Sequence, residues 1–139
     1  MSLRKGLGAL ALGLSITFTA PKAQAQDMGQ VGQMFDTFTV SLVAASRCDQ
    51  PDERTLSRFM ANLMVVQEAI LNEYRKRYPR ADDANLLGII DRRINQLGGN
   101  VEKAIAQRGC MDASIIRLVR LFELNARPDL FQPGVAGSE

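Results

Sequence analysis

Between residues 31 and 45 the apolar side chains Val31, Met34, Phe35, Phe38, Leu42 and Ala45 recur at steps of three and four. That period lines them along one face of a helix, and it fits more positions than the alternation hinted at by Thr37, Thr39 and Val40. A helix ending near Arg47 is therefore predicted. The turn Cys48-Asp49-Gln50-Pro51 follows, in which Asp49 can cap and Pro51 can occupy the first turn of a second helix over residues 51–77. Leu56, Phe59, Met60, Leu63, Val66, Ile70 and Tyr74 make its inner stripe, and Tyr78-Pro79 stops it, because the residue before proline is pushed out of the helical region. Asp82 or Asp83 then caps a third helix carrying Leu86, Leu87, Ile90, Ile94 and Leu97, which Gly98-Gly99 is expected to end. A short fourth helix runs from Asn100 through Val101, Ala104 and Ile105 to Gly109, and Asp112 caps a fifth in which Ile115, Leu118, Val119 and Phe122 face inward. No stretch after the leader joins strict alternation to hairpin turn chemistry. The expected fold is all-α, a small bundle of about five helices.

The ends of the chain read differently. Arg4 and Lys5 precede an apolar stretch over residues 6–20, and Ala23-Gln24-Ala25 supplies the small residues of a signal-peptidase site. The apolar run is short of the roughly 20 residues needed to cross a bilayer core. Residues 1–25 are thus expected to be a cleaved signal peptide, residues 26–126 a helical domain, and residues 127–139, with Pro128 and Pro133, an extended tail. The expected location is periplasmic or secreted. Export also changes the charge: the whole chain has 17 Lys and Arg against 15 Asp and Glu, but three of the cations, Arg4, Lys5 and Lys22, are in the leader. What remains is close to neutral, which is not the electrostatic footprint of a nucleic-acid binder.

In an oxidising compartment the two cysteines, Cys48 and Cys110, are most simply one disulfide. Their wide separation argues against a redox-active or metal-binding pair, which favours close spacing. Catalysis is poorly supplied. Histidine is absent, Glu68 and Glu73 fall on different faces of their helix, and the adjacent Asp82 and Asp83 are explained by a helix cap. Asp49, Asp52 and Glu53 lack the ligand count and bend glycine of a calcium loop. Met60 and Met64, one turn apart, are read as core rather than as a thioether site for cuprous ion. The expectation is no enzyme, no cofactor and no metal.

Two surface features are left. The run Arg75, Lys76, Arg77 and Arg80, flanked by Tyr74 and Tyr78, can hold an anion, although cations at a helix C-terminus also offset its partial negative charge. Val40, Val65, Ile116 and Leu124 fall off their inner stripes, and Leu130-Phe131 lies between prolines in the tail; Val65, Ile116, Leu124, Leu130 and Phe131 are the candidate partner-binding residues. Gln67 sits inside the apolar stripe of the second helix, where an amide must find partners or face a cavity. The leading expectation is a non-enzymatic exported module that binds another envelope or secreted protein as a chaperone, adaptor or inhibitor. The alternative is a binder of an anionic envelope component, a phospholipid, polysaccharide or phosphate group, through the basic run; a membrane surface ranks lower and nucleic acid is not expected. In architecture alone the chain is similar to the acid-stress chaperones of the bacterial periplasm, without a shared motif.

Overall fold

The computed structural model describes residues 29–131, so the leader and the last residues of the tail lie outside the described residues. All regular structure among the described residues is helical: α1 Gly29–Cys48, α2 Glu53–Arg77, α3 Asp83–Arg108 and α4 Ala113–Asn125. Three of the four helices start on an aspartate whose carboxylate takes backbone N–H groups that the helix cannot satisfy itself. Asp52 accepts from Thr55 N at 3.0 Å, Asp82 from Asn85 N at 2.8 Å and Asp112 from Ser114 N at 2.9 Å. The cap of α2 is therefore Asp52 rather than Asp49, because Thr55 also donates its hydroxyl to the Asp52 carboxylate at 2.7 Å. Pro51 precedes the helix.

The register of the helices follows from pairs that touch across them. Asp36 meets Arg93, Val43 lies beside Gly98 and Arg47 meets Glu102, so α1 and α3 run parallel. Phe59 stacks on Phe122 and Asn62 reaches Asn125, so α2 and α4 run parallel to each other. The order is up-down-up-down, with α1 packed against all three other helices while α3 and α4 barely meet. This central place explains the apolar sequence of α1 and its two buried hydroxyls. Thr39 and Ser41 satisfy themselves by donating back to Phe35 O and Phe38 O at 2.9 and 3.1 Å. Around α1 the core is aromatic: Phe38 and Phe59 have ring centroids 5.0 Å apart, Phe59 and Phe122 4.4 Å, and with Phe35 all are essentially fully buried.

Helix count is where the sequence reading fails. Gly98 and Gly99 do not end a helix; α3 runs through both and stops only at Gly109, whose φ of 80° and ψ of 167° form its C-cap. Neither glycine of the pair has a positive φ. Contacts on both sides hold the backbone helical there: a Cβ on Gly98 would stand 3.5 Å from Val43 Cγ2, and one turn on, Glu102 is held by Arg47 at 2.6 Å. Packing thus outweighs the propensity cost of about 1 kcal/mol per glycine. The predicted third and fourth helices are one, and the bundle has four helices among the described residues.

The disulfide joins Cys48, at the end of α1, to Cys110, in the turn before α4, with Cα atoms 5.5 Å apart. It closes the end of the molecule opposite the α2–α3 turn. Among the described residues no helix is long and apolar enough to cross a membrane.

Candidate functional site: an apolar groove between α2 and α3

Where α2 and α3 diverge they leave a groove of about 290 Å³. Met64, Gln67, Glu68 and Leu71 of α2 form one wall, and Leu87, Ile90, Asp91 and Ile94 of α3 form the other. Each set repeats at helical spacing, so one strip of each helix faces the gap. Ile90 is buried at the floor and Leu71 and Ile94 are half-buried, whereas the rims are open: Met64 is 67 % exposed and Leu87 49 %. Met60, one turn before Met64, is 42 % exposed. Met60 and Leu87 are thus not core residues as the periodicity predicts. Both stand at the edge of an apolar arc that is wider than the neighbouring helices cover.

Gln67, the polar residue in that arc, lines the groove, and its amide has no protein hydrogen-bond partner among the described residues. Glu68 and Asp91 place one carboxylate on each wall. Asp91 has no ion-pair partner among the described residues. Glu68 is 3.9 Å from Arg75, whose guanidinium is otherwise committed to Asp83, at 2.9 and 3.1 Å, and to Asn72 at 2.9 Å. That fork holds the Asp83 carboxyl below its ordinary pKa and raises that of Arg75.

The basic run lies at the end of α2, next to this groove. Arg75 is bound as above and Lys76 pairs with Glu73 at 2.8 Å; Arg77 and Arg80 are exposed. The candidate partner residues fall on three elements. Val65 on α2 and Leu124 on α4 are each about half exposed, Ile116 on α4 is half-buried, and Leu130 and Phe131 follow α4. The Phe131 ring stacks on Phe38 with centroids 6.3 Å apart, so the described part of the tail turns back on the bundle. Asn62 fastens it, donating from Nδ2 to Asn125 O and Arg127 O, both at 2.8 Å.

Two polar features escape the sequence reading. Asn62 is one. The other is a fork from Arg93 to Asp36, with Nε and Nη2 each 2.6 Å from a carboxylate oxygen, beside the buried Tyr74. It ties α1, α2 and α3 at mid-height, and both side chains are mostly shielded. The hydrogen bond to Asp36 is the main cause of the raised Arg93 pKa. The signal for it was Asp36 set between Phe35 and Phe38 in an otherwise apolar face.

Other depressions offer less. One, of about 810 Å³, lies over the first turns of α2 and is lined by side chains of that single segment, Asp52 to Arg58. A second, about 390 Å³, lies between α1 and α3 over Leu42 and Val43, beside the Arg47–Glu102 pair. Among the described residues no group of three or more Cys, Asp or Glu stands together as metal ligands. Comparison of the chain with protein-family models, with curated proteins and with solved structures returns no match.

Proposed function

We propose that this protein is an exported, non-enzymatic helical module that holds another envelope or secreted protein in the α2–α3 groove, in the manner of a chaperone, adaptor or inhibitor. One observation carries the reading: Met64 and Leu87 expose large apolar side chains on the rims of a groove whose floor is formed by Leu71, Ile90 and Ile94, and Met60 is exposed one turn before Met64. Methionine is unbranched and polarizable and adapts to varied partner surfaces, and a contiguous apolar strip on a small protein marks an interaction site. The paired cysteines suit an oxidising compartment, and the leader over residues 1–25 has the layout of an export signal. The anionic-component reading has less support, because Arg75 and Lys76 already pair with acids of this chain.

The test is site-specific photo-crosslinking in the native host. A photoreactive phenylalanine at Met64 or Leu87 should trap one discrete protein species, and the same group at exposed Gln107, at the far end of α3, should not. Equal labelling from all three positions, or none from the first two, overturns the proposal. Intact mass of the recovered protein checks export: a chain starting at Gln26 is expected, and retention of Met1 refutes that part.

A further inference from the structure

We infer that the segment seated in the groove is an amphipathic helix of the partner that carries Lys or Arg on both sides of its apolar stripe. The inference rests on the partner-binding reading above and adds the chemistry of the occupant. Three observations lead to it.

The groove has the length of a short helix. From Met64 to Leu71 its α2 wall spans about 10 Å, roughly two helical turns, which suits apolar anchors at i, i+3 or i+4, and i+7. An extended strand fits less well. Both walls are helices whose backbone groups are already bonded, so a strand would leave its own N–H and C=O groups unpaired against apolar side chains, whereas a helix satisfies its own.

The walls carry charge of one sign. Glu68 stands on α2 and Asp91 on α3, so the gap is flanked by a carboxylate on each side. Among the described residues Asp91 is in no ion pair, and the one that Glu68 makes is with Arg75, which is bound to Asp83. Arg92, next in sequence to Asp91, reaches back toward Gly88 and makes no ion pair with Asp91. A partner helix with cations at both flanks would meet an acid on each wall, and one with acids would meet repulsion.

The neutral polar group of the α2 wall is an amide with an open donor and acceptor. Gln67 can serve a hydroxyl or amide of the incoming helix, which spares that amide the cost of being covered unpaired.

The experiment uses the oxidised protein and two fluorescent synthetic helical peptides of about 16 residues. They share one leucine stripe and differ only in flanking Lys or flanking Glu. The Lys peptide is expected to bind on the order of tenfold more tightly than the Glu peptide at low salt, with the preference shrinking as salt is raised. Glu68→Lys with Asp91→Lys should reverse the preference, and Leu87→Gln, which leaves both acids in place, should weaken the Lys peptide too. Circular dichroism and a non-reducing gel establish that each variant is folded and bridged. Equal binding of both peptides, binding of neither, or indifference of the Lys peptide to Leu87→Gln overturns the inference, and so does a homodimer dispersed by Met64→Glu. Crosslinking from Met64 to a foreign protein would survive the first three results, so failure here is distinguishable from failure of the partner-binding reading.

Discussion

Replacing glycine with alanine inside α3 and at its C-cap should move stability in opposite directions. At Gly99 the backbone is helical and a Cβ would meet nothing within 4 Å. Alanine there gains helix propensity with no contact to oppose it, about 0.5–1 kcal/mol. Gly98 behaves alike, since its Cβ would make only an ordinary contact with Val43 at 3.5 Å. Gly109 is different. Its φ of 80° with ψ of 167° is a region that essentially only glycine enters, and alanine there costs about 1–3 kcal/mol. For a domain near 100 residues each kcal/mol moves the melting midpoint by roughly 4–8 °C. Gly99→Ala should therefore raise Tm by roughly 2–8 °C, and Gly109→Ala should lower it by roughly 4 °C or more. Thermal and urea unfolding of the oxidised protein, followed by far-ultraviolet circular dichroism, reads both; an unchanged urea slope at Gly99→Ala would show that stability rose with no change in the surface exposed on unfolding. If Gly99→Ala lowers Tm, the chain breaks at the glycine pair and the continuous α3 is wrong.

Three further outcomes follow from the same geometry. Cys48→Ala with Cys110→Ala should remove on the order of 4 kcal/mol in the chain-entropy account of a bridge spanning 62 residues, measured as the fall in urea midpoint against the oxidised parent; a loss below about 1 kcal/mol would show that residual structure already confines the unbridged unfolded chain. Asn62→Ala strips the donor from Asn125 O and Arg127 O and should cost about 1–3 kcal/mol while opening Leu130 and Phe131 to chymotrypsin; unchanged digestion would mean that the Phe131–Phe38 stack suffices. Acid should destabilise the fold below about pH 4: Asp52, Asp83 and Asp112 have folded pKa values held low by Thr55, Arg75 and Ser114, so their contribution is complete above the unfolded carboxylate range and is lost as pH falls through the folded values. Replacing all three with Asn, which can still cap at positions 52 and 112 and accept from Arg75 at position 83, should flatten Tm between pH 5 and pH 2, and an unaltered slope would assign the acid response to other carboxylates.

How far each feature could be read from the chain depended on whether its cause was local. The caps at Asp82 and Asp112, the stop at Tyr78-Pro79 and the stripes of α1, α2 and α4 depend on neighbours within a turn or two, and they are legible in the residues. The Cys48–Cys110 pairing follows from there being only two cysteines. The passage of α3 through Gly98-Gly99 was not legible, because Val43 and the Arg47–Glu102 pair decide it from another helix. The same holds for the Arg93–Asp36 fork and for Asn62, each of which acts on a residue more than 50 positions away. Met60 and Leu87 were misjudged for a related reason: periodicity shows which way a side chain points around its own helix, not how far the next helix reaches to cover it.

That last point explains why the groove exists at all. The apolar arc of α2 runs from Val66 through Leu63 and Ile70 to Met60, Leu71 and Met64, about 160° of the helical circumference, where a surface helix needs a stripe of about 100°. α1, taking the central place, covers the first part of that arc with Phe35 and Phe38. Among the described residues α3 is the neighbour on the far side, but it spends part of its inner face on α1, through Arg93 and Gly98, and puts Leu86 and Ile90 into the shared core. The outer edges of both stripes therefore face each other across a gap instead of closing on it. Because these edge residues are largely in solvent, Met64→Gln or Leu87→Gln should change stability by no more than about 0.5 kcal/mol, whereas truncating a floor residue such as Ile90 to alanine should cost about 2–5 kcal/mol. The rim of the groove can thus be altered without unfolding the bundle, so a loss of the proposed partner contact in these variants is separable from a loss of the fold.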